Sequence, residues 1–72
     1  MAAIWTDGPP EWSDLRLGDY IRFRMDGEEW EGRVMEARPH AIAVASDDGH
    51  GRLEGRNRVI APDQVLTRRL RP

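Results

Sequence analysis

The sequence predicts an all-β domain of five short strands, and three observations lead to that class. Apolar and polar residues alternate in several segments from residue 19 onwards, which is typical of strands with one buried face. Turn-forming Gly, Pro and Asp residues separate these segments. No segment carries apolar residues at helical spacing over a useful length. A small closed barrel is favoured over an open sheet, because closure removes the unpaired edges that recruit other chains.

Length and composition limit the function classes. The chain has 72 residues and a formal net charge of −2. A domain of this size buries roughly 60% of its unfolded surface, so we do not expect a deep catalytic cleft. Cysteine is absent, which excludes disulfides, thiolate metal sites and thiol nucleophiles. No apolar run approaches the roughly 20 residues that span a bilayer, and the N-terminus lacks signal-peptide character, so a soluble, unprocessed, cytoplasmic protein is expected.

Residues 1–16 are predicted to form an irregular arm ahead of a barrel over residues 17–72. The segment Gly8-Pro9-Pro10 lies between Trp5 and Trp12 without strand or helix periodicity, so the arm should be extended through the two prolines. The two tryptophans allow two interpretations. They fold back and cap the open end of a thin core, or they anchor a partner protein, since large aromatic residues are frequent interface anchors.

The first two strands are predicted to form a hairpin. They occupy residues 19–25 and 29–37, and Asp26-Gly27 between them is a strong signal for a tight turn, because Gly accepts the positive φ that such turns require. Gly32 in the middle of the second strand suggests a bend or a bulge. The alternation places Ile21, Phe23, Met25, Trp30, Gly32 and Val34 inwards and Tyr20, Arg22, Arg24, Glu31, Arg33 and Met35 outwards.

The third strand follows a break in the pattern. Arg38-Pro39-His40 ends the second strand, and residues 41–46 resume the alternation with Ile42 and Val44 inwards and three alanines outwards. A sharp turn over residues 47–51 is predicted to end this strand.

The fourth and fifth strands are separated by a helical turn. Residues 52–60 show a weaker alternation that is interrupted at Gly55, which leaves the register of the fourth strand open. Residues 61–64 predict one 3₁₀ turn, and the last strand runs over residues 65–70. The alternation does not decide whether the first or the second residue of this last strand faces inwards.

The inward positions define a predicted core. Trp30 alternates with Gly32 and Val34 and is assigned to the core; the alternative is an exposed stacking platform beside Tyr20, of the kind that binds single strands. The predicted core residues are Ile21, Phe23, Val34, Ile42, Val44 and Val59, with Trp30 and one of Val65 or Leu66.

A set of barrel residues resembles a known pattern: Gly18-Asp19, Ile21, Phe23, Gly27, Gly32-Arg33-Val34, Pro39, Ile42, Val44 and the ending Ile60-Ala61-Pro62-Asp63-Gln64-Val65. These residues, within roughly residues 17–69, are similar to the KOW-type and Tudor-like members of the SH3-like small barrels. The resemblance implies a five-stranded SH3-like barrel, and members of this group bind RNA, DNA, ribosomes or RNA polymerase, bind peptides, or scaffold a larger complex. One departure is the acidic turn over residues 26–31, because its four carboxylates would repel a phosphate backbone.

All positive side chains are arginines, and they are unevenly distributed. Residues 1–31 contain three Arg and eight acidic residues, and residues 32–72 contain eight Arg and five acidic residues, which gives charges of −5 and +3. The planar guanidinium binds phosphate or carboxylate through two hydrogen bonds and stacks on rings. Codon usage in a GC-rich genome is the alternative explanation. The residues expected to form a positive stripe that contacts nucleic acid are Arg52, Arg56, Arg58, Arg68, Arg69 and Arg71. In the alternative arrangement, this stripe is a solvated face that pairs with Glu28, Glu29 and Glu31.

Patterns for catalysis and metal binding are not found in the sequence. Ser13 and Ser46 stand outside any nucleophile motif, and no phosphate-binding Gly loop is present. The candidate metal ligands are His40 and His50 with Asp47 and Asp48, and this set is more typical of turns than of a metal site. We therefore expect a protein that is not an enzyme and that binds no cofactor and no metal.

The sequence predicts a non-catalytic binding module with two alternative partners. The first is nucleic acid, DNA or RNA, bound through the arginine stripe by an accessory factor of transcription, translation or genome handling. The second is a protein: the chain would then be an adaptor or structural subunit of a larger complex, encoded by a phage or another mobile element. The protein-binding residues would be Trp5, Trp12, Tyr20, Arg22 and Arg24. Neither alternative involves a membrane or a small-molecule substrate.

Overall fold

The protein is built from five β-strands and two 3₁₀ turns in a computed structural model that describes residues 4–46 and 57–71. The predicted turn at 47–51 and the first residues of the predicted fourth strand lie outside the described residues. The strands are β1 (Tyr20–Met25), β2 (Glu28–Arg38), β3 (Ala41–Ser46), β4 (Asn57–Ile60) and β5 (Val65–Arg68), and the 3₁₀ turns are Trp12–Asp14 and Pro62–Gln64. The all-β class is confirmed.

All five strands belong to one antiparallel sheet with the order β4-β3-β2-β1-β5. In this order β4 and β5 are the two end strands, and among the described residues no ladder of hydrogen bonds joins them. Barrel closure therefore stays a prediction. No helix within residues 4–46 and 57–71 is both long enough and apolar enough to cross a bilayer.

The β1–β2 hairpin forms at the predicted turn. Asp26 and Gly27 have φ angles of 55° and 77°, which is the positive pair that a two-residue hairpin turn of the primed kind requires. The pairing runs from Met25 opposite Glu28 to Tyr20 opposite Arg33 without a shift. This register places the outward side chains of β1 directly beside those of β2.

Gly32 lies at a close approach between strands and not at a bulge. The β1–β2 register passes Gly32 without interruption, and the irregularity of β2 lies between Val34 and Glu36, where β2 pairs with β3. A Cβ atom at Gly32 would lie 3.1 Å from the carbonyl oxygen of Ala45 and 3.2 Å from Cε1 of Phe23. Gly32 thus makes room for the Phe23 ring in the core.

The core is largely the predicted one. The fully buried side chains include Ile21, Phe23, Val34, Ile42, Val44 and Val65, so the inward residue at the start of β5 is Val65. Burial of each side chain of this kind stabilises the fold by about 1.5–3 kcal/mol relative to exposure. Trp30 is partly buried against this core and donates its indole N–H to the Met25 carbonyl at 3.1 Å. This contact agrees with its assignment to the core and not to an outward platform.

The assignment of Val59 to the core is wrong. Val59 is 71% exposed, whereas its neighbour Ile60 is 3% exposed. In the β3–β4 ladder Ile60 pairs with Ile42 and Val59 with Ala43, and paired residues of neighbouring strands face the same side. Since Ile42 faces the core, Ile60 must also face it.

The arm is attached to the sheet along β5. The Thr6 N–H donates to the Arg68 carbonyl at 2.8 Å, the Leu70 N–H donates to the Ile4 carbonyl at 2.7 Å, and Trp5 forms an antiparallel bridge with Arg69. Further along, the Trp12–Asp14 turn leads into Leu15, which the sequence did not place in the core and which is buried there. The arm therefore contributes both an extra strand segment and a core residue.

Candidate ligand-binding face

The outward surface of the sheet brings aromatic and arginine side chains together. Tyr20 and Arg22 alternate with buried residues of β1, and Arg33 lies opposite Tyr20 on β2. Arg68 pairs with the buried Ile21, so alternation turns the next residue, Arg69, to the outward side, and the bridge to Arg69 brings in Trp5. We call the set Trp5, Tyr20, Arg22, Arg33 and Arg69 the aromatic–arginine face.

Arg22 joins the arm to the hairpin. Its guanidinium carbon lies 4.1 Å from the centroid of the Trp5 ring, within the range of a cation–π contact. Its Nε donates to a carboxylate oxygen of Glu31 at 3.0 Å, and both side chains are about half exposed. Arg22 is thus held between a ring and a carboxylate on the surface.

The contact between Trp5 and Arg22 spans β5, the strand that lies between the arm and β1. On β5, Thr67 pairs with Arg22, and its hydroxyl is buried without a hydrogen-bond partner. Trp5 itself is half-buried.

Tyr20 and Arg33 form a second ring–guanidinium pair. The Arg33 guanidinium donates to the Tyr20 hydroxyl at 3.0 Å, and its central carbon lies 5.4 Å from the ring centroid. Arg69 links the two pairs, because its N–H donates to the Tyr20 carbonyl at 2.8 Å while its backbone bridges to Trp5. The two aromatic residues therefore lie on neighbouring parts of one surface.

Charge changes sign along the hairpin. Near the turn, Arg24 pairs with Glu29 at 4.0 Å, with both side chains about 60% exposed. Exposed pairs of this kind stabilise a protein by about 0–1 kcal/mol. Away from the turn, the face carries Arg22, Arg33 and Arg69, and Arg22 is paired with Glu31. Among the described residues, Glu29 and Glu31 pair with arginines of β1, because the hairpin register places them opposite these arginines. The alternative in which the arginine stripe pairs with Glu28, Glu29 and Glu31 stays a prediction, because two of its arginines lie outside the described residues.

Arg71 of the predicted stripe is engaged in a different contact. Its Nε and one terminal nitrogen donate to the two carboxylate oxygens of Asp19 at 3.0 and 2.7 Å, and the same terminal nitrogen donates to the Asp14 carbonyl at 2.6 Å. Asp19 is 9% exposed and also accepts the Arg16 N–H at 2.8 Å. Arg71 thus ties the C-terminal segment to the loop before β1.

The ionisation of Asp19 follows from these contacts. Burial opposes its charge, but the hydrogen bond from Arg71, the hydrogen bond from the Arg16 N–H and the charges of Arg71 and Arg68 outweigh burial and hold the pKa of Asp19 below its usual value. The hydrogen bonds that Arg71 donates to Asp19 in turn raise the pKa of Arg71. The pair is therefore charged at neutral pH. Asp19 occupies the two Arg71 nitrogens that would otherwise bind a phosphate.

The remaining members of the predicted stripe lie on different elements. Arg58 lies on β4 and Arg69 follows β5, the two end strands of the sheet order. Arg68 is half-buried and donates to the Asp14 carbonyl at 3.2 Å, and its Nε is buried without a partner. Arg52 and Arg56 lie outside the described residues. Of the stripe, the structure places Arg69 on the aromatic–arginine face.

The predicted protein-binding residues are brought together in part. Trp5, Tyr20 and Arg22 share the face, and Arg24 lies nearer the hairpin turn. Trp12 is 39% exposed on its own 3₁₀ turn, within a chain segment that also exposes Leu17.

Arg33 and Arg69 also belong to the face. From the sequence, Arg33 was not assigned to any site, and Arg69 was assigned to the nucleic-acid-binding residues and not to the protein-binding residues. Counting residues outwards from Asp26-Gly27 pairs position 20 with position 33, so the position of Arg33 beside Tyr20 could be predicted from the turn alone. The contact of Arg69 with the arm had no comparable local signal.

The candidate metal ligands do not form a site in the part of the chain that the structure describes. His40 is exposed in the turn between β2 and β3, and His50, Asp47 and Asp48 lie outside the described residues. Within the part of the chain that the structure describes, no three His, Cys, Asp or Glu side chains form a group that could hold a metal ion.

Comparisons with family models, curated proteins and solved structures find no match to this chain.

Proposed function

We propose that this protein is a non-catalytic nucleic-acid-binding module with an SH3-like barrel, and that the aromatic–arginine face contacts the nucleic acid. One observation carries the proposal: Trp5 and Tyr20 each hold an arginine guanidinium at their ring, and Arg69 lies between them on the same side of the sheet. Aromatic rings interleaved with arginines are the combination that binds bases and phosphates together.

The local charge of the face supports nucleic acid as the partner, although the chain as a whole is acidic. The chain carries −2 overall, but the face brings together three arginines, Arg22, Arg33 and Arg69, of which Arg22 is paired with Glu31. The acids of the hairpin concentrate near the turn, at the other end of β1 and β2. A phosphate backbone would therefore approach the end of the sheet that carries Trp5 and Tyr20 and would be repelled from the turn.

The ion pair of Arg22 does not prevent phosphate binding. Both of its members are about half exposed, and such a pair is worth little because water screens it. A phosphate offers the same bidentate geometry as the carboxylate and adds the release of counterions to the binding free energy. Arg22 can thus exchange Glu31 for phosphate at small cost.

A second candidate function is a protein adaptor, and the exposed apolar side chains of the arm region favour it. Ile4, Trp12, Leu17 and Leu70 are between 39% and 74% exposed, and large exposed aromatics are frequent at protein interfaces. None of these four residues belongs to the aromatic–arginine face. The adaptor function depends on Trp12, whereas the nucleic-acid function depends on Trp5.

The test is a fluorescence anisotropy titration of labelled oligonucleotides of about 12 nucleotides, which lies within the usual site size of small single-strand-binding barrels. Single-stranded DNA, single-stranded RNA and duplex DNA are each titrated at about 50 mM and about 200 mM salt. Binding that weakens with salt is expected for at least one probe. Absence of any anisotropy change up to about 100 μM protein, the weak end of non-specific binding, would overturn the proposal.

A matched pair of variants locates the binding surface. Arg69→Gln removes a cation from the face, and the slope of log affinity against log salt should fall by about 1. Arg38→Gln removes the same charge at the far end of β2, where Arg38 is bound to Glu36, and should leave the slope unchanged. Equal losses in both variants would show that net charge and not the face governs binding.

A further inference from the structure

The geometry of the face points to a single strand as the ligand, and we propose that the protein binds single-stranded nucleic acid by stacking bases on Trp5 and Tyr20. This inference rests on the proposed function and specifies the class of nucleic acid. Arg22, Arg33 and Arg69 would then contact the phosphates beside the stacked bases. DNA and RNA share the bases and phosphates that such a face contacts.

The breadth of the sheet argues against duplex recognition. The face extends over the arm, β5, β1 and β2, which is three strand spacings, or about 14 Å. The major groove of B-form DNA is about 12 Å wide and admits a helix or a two-stranded ribbon, but not a surface of four strands. A duplex would meet this face through phosphates alone, and both rings would be left without a contact.

The two rings are held in place on the surface before any ligand binds. Trp5 is fixed by its backbone bridge to Arg69 and by the Arg22 guanidinium at 4.1 Å, and Tyr20 is fixed by the hydrogen bond from Arg33 to its hydroxyl. Trp5 and Tyr20 are both half-buried residues. A ring that is already ordered loses little conformational entropy on stacking, so its contact with a base contributes fully to affinity.

Stacking also predicts how selective the binding is. Every base has a flat π surface, so a face that holds bases by stacking tolerates many sequences. The arginines add attraction to phosphates, which carry no sequence information. We therefore expect similar affinities for strands of different composition and a clear preference for strands that have bases.

The experiment compares three probes of equal length on the unmodified protein: an oligothymidine, the same sugar–phosphate backbone without bases, and a duplex. The oligothymidine should bind about 10-fold tighter or more than the abasic strand, because base–aromatic stacking is worth about 1–3 kcal/mol per base. An oligouridine and an oligodeoxyuridine of the same length differ only in the 2′-hydroxyl, and similar affinities for the two are expected because stacking uses the bases. If the abasic strand or the duplex binds as well as the oligothymidine, the single-strand inference fails while the proposed function stands. If no probe binds, the proposed function itself fails.

Matched variants connect the preference to the rings. Trp5→Leu keeps an apolar side chain but removes the ring, and it should lower oligothymidine affinity by about 5- to 100-fold and leave abasic binding nearly unchanged. Trp12→Leu makes the same replacement on the separate 3₁₀ turn and should have no effect. Unchanged oligothymidine binding by Trp5→Leu would overturn the assignment.

A second pair remains informative if Trp5→Leu loosens the arm. Tyr20→Phe keeps the ring and loses the hydroxyl, whereas Tyr20→Leu loses the ring. We expect the first to retain most of the oligothymidine affinity and the second to lose at least about 5-fold. Equal affinities in the two variants would contradict stacking. Thermal unfolding monitored by circular dichroism verifies that each variant is folded under the binding conditions.

Discussion

Replacement of Gly32 by larger residues should destabilise the sheet in an order opposite to β-strand propensity. A Cβ atom at this position would meet the Ala45 carbonyl oxygen at 3.1 Å and Cε1 of Phe23 at 3.2 Å. The carbonyl belongs to the β2–β3 ladder and cannot retreat without breaking it, and the ring is fully buried. Propensity alone would make Ala and especially Val better strand residues than Gly.

The magnitude follows from two opposing effects. Overpacking a well-filled core costs about 1–3 kcal/mol. Replacing Gly by Ala returns about 0.4–1 kcal/mol by reducing the entropy of the unfolded chain. The net loss for Gly32→Ala is therefore about 0.5–2 kcal/mol, which lowers the melting temperature by about 2–16 °C in a domain of this size. Gly32→Val adds two further carbons in the same space and should lose more.

Urea and thermal unfolding followed by circular dichroism measure these losses. Gly8→Ala is the control, because no atom lies within 4 Å of a Cβ at Gly8, and its effect should stay within about 0.5 kcal/mol. In a Phe23→Leu background the 3.2 Å contact is gone, so the additional cost of Gly32→Ala should fall. If Ala or Val at position 32 is as stable as Gly, the close approach does not constrain this position and the reasoning is refuted.

Three further predictions test the charge pair, the face and the register of β4. Since the folded-state pKa of Asp19 lies below its unfolded value of about 3.9, its charge stabilises the fold above that pH and the stabilisation is lost as pH falls through the folded pKa. The difference in unfolding free energy between wild type and Asp19→Asn should therefore shrink on acidification, and a difference that does not change with pH would contradict the pairing. Glu31→Gln frees the guanidinium beside the indole and should tighten oligonucleotide binding more than Glu36→Gln, which removes the same charge elsewhere on β2; equal effects would indicate a response to net charge. Ile60→Ala should cost about 2–5 kcal/mol in urea unfolding and Val59→Ala less than about 0.5 kcal/mol, and the reverse order would contradict the β4 register.

Much of the fold could be predicted from local sequence patterns. The alternation in β1, β2 and β3 identified buried Ile21, Phe23, Val34, Ile42 and Val44, because a strand with one buried face has a strict period of two. The Asp26-Gly27 pair fixed the hairpin register, because positive φ at both positions is a local steric requirement.

The register of β4 shows where local patterns fail. Val59 and Ile60 are both β-branched and adjacent, so composition gives either of them as the inward residue. The choice is made by pairing with Ile42 and Ala43 on β3, and a one-residue shift would reverse it. The turn predicted over residues 47–51 is separated from β4 by residues 52–56, which is too far to set that register.

The sequence by itself determined the strands, the first hairpin and most of the core, since these depend on periodicity and on backbone conformations that each residue type allows. The tertiary structure alone decided which arginines lie together. It bound Arg71 to Asp19 and brought Trp5 to Arg22. These contacts join residues far apart in the chain, and their formation depends on which strand edges pair, a property of the assembled sheet that no local segment encodes.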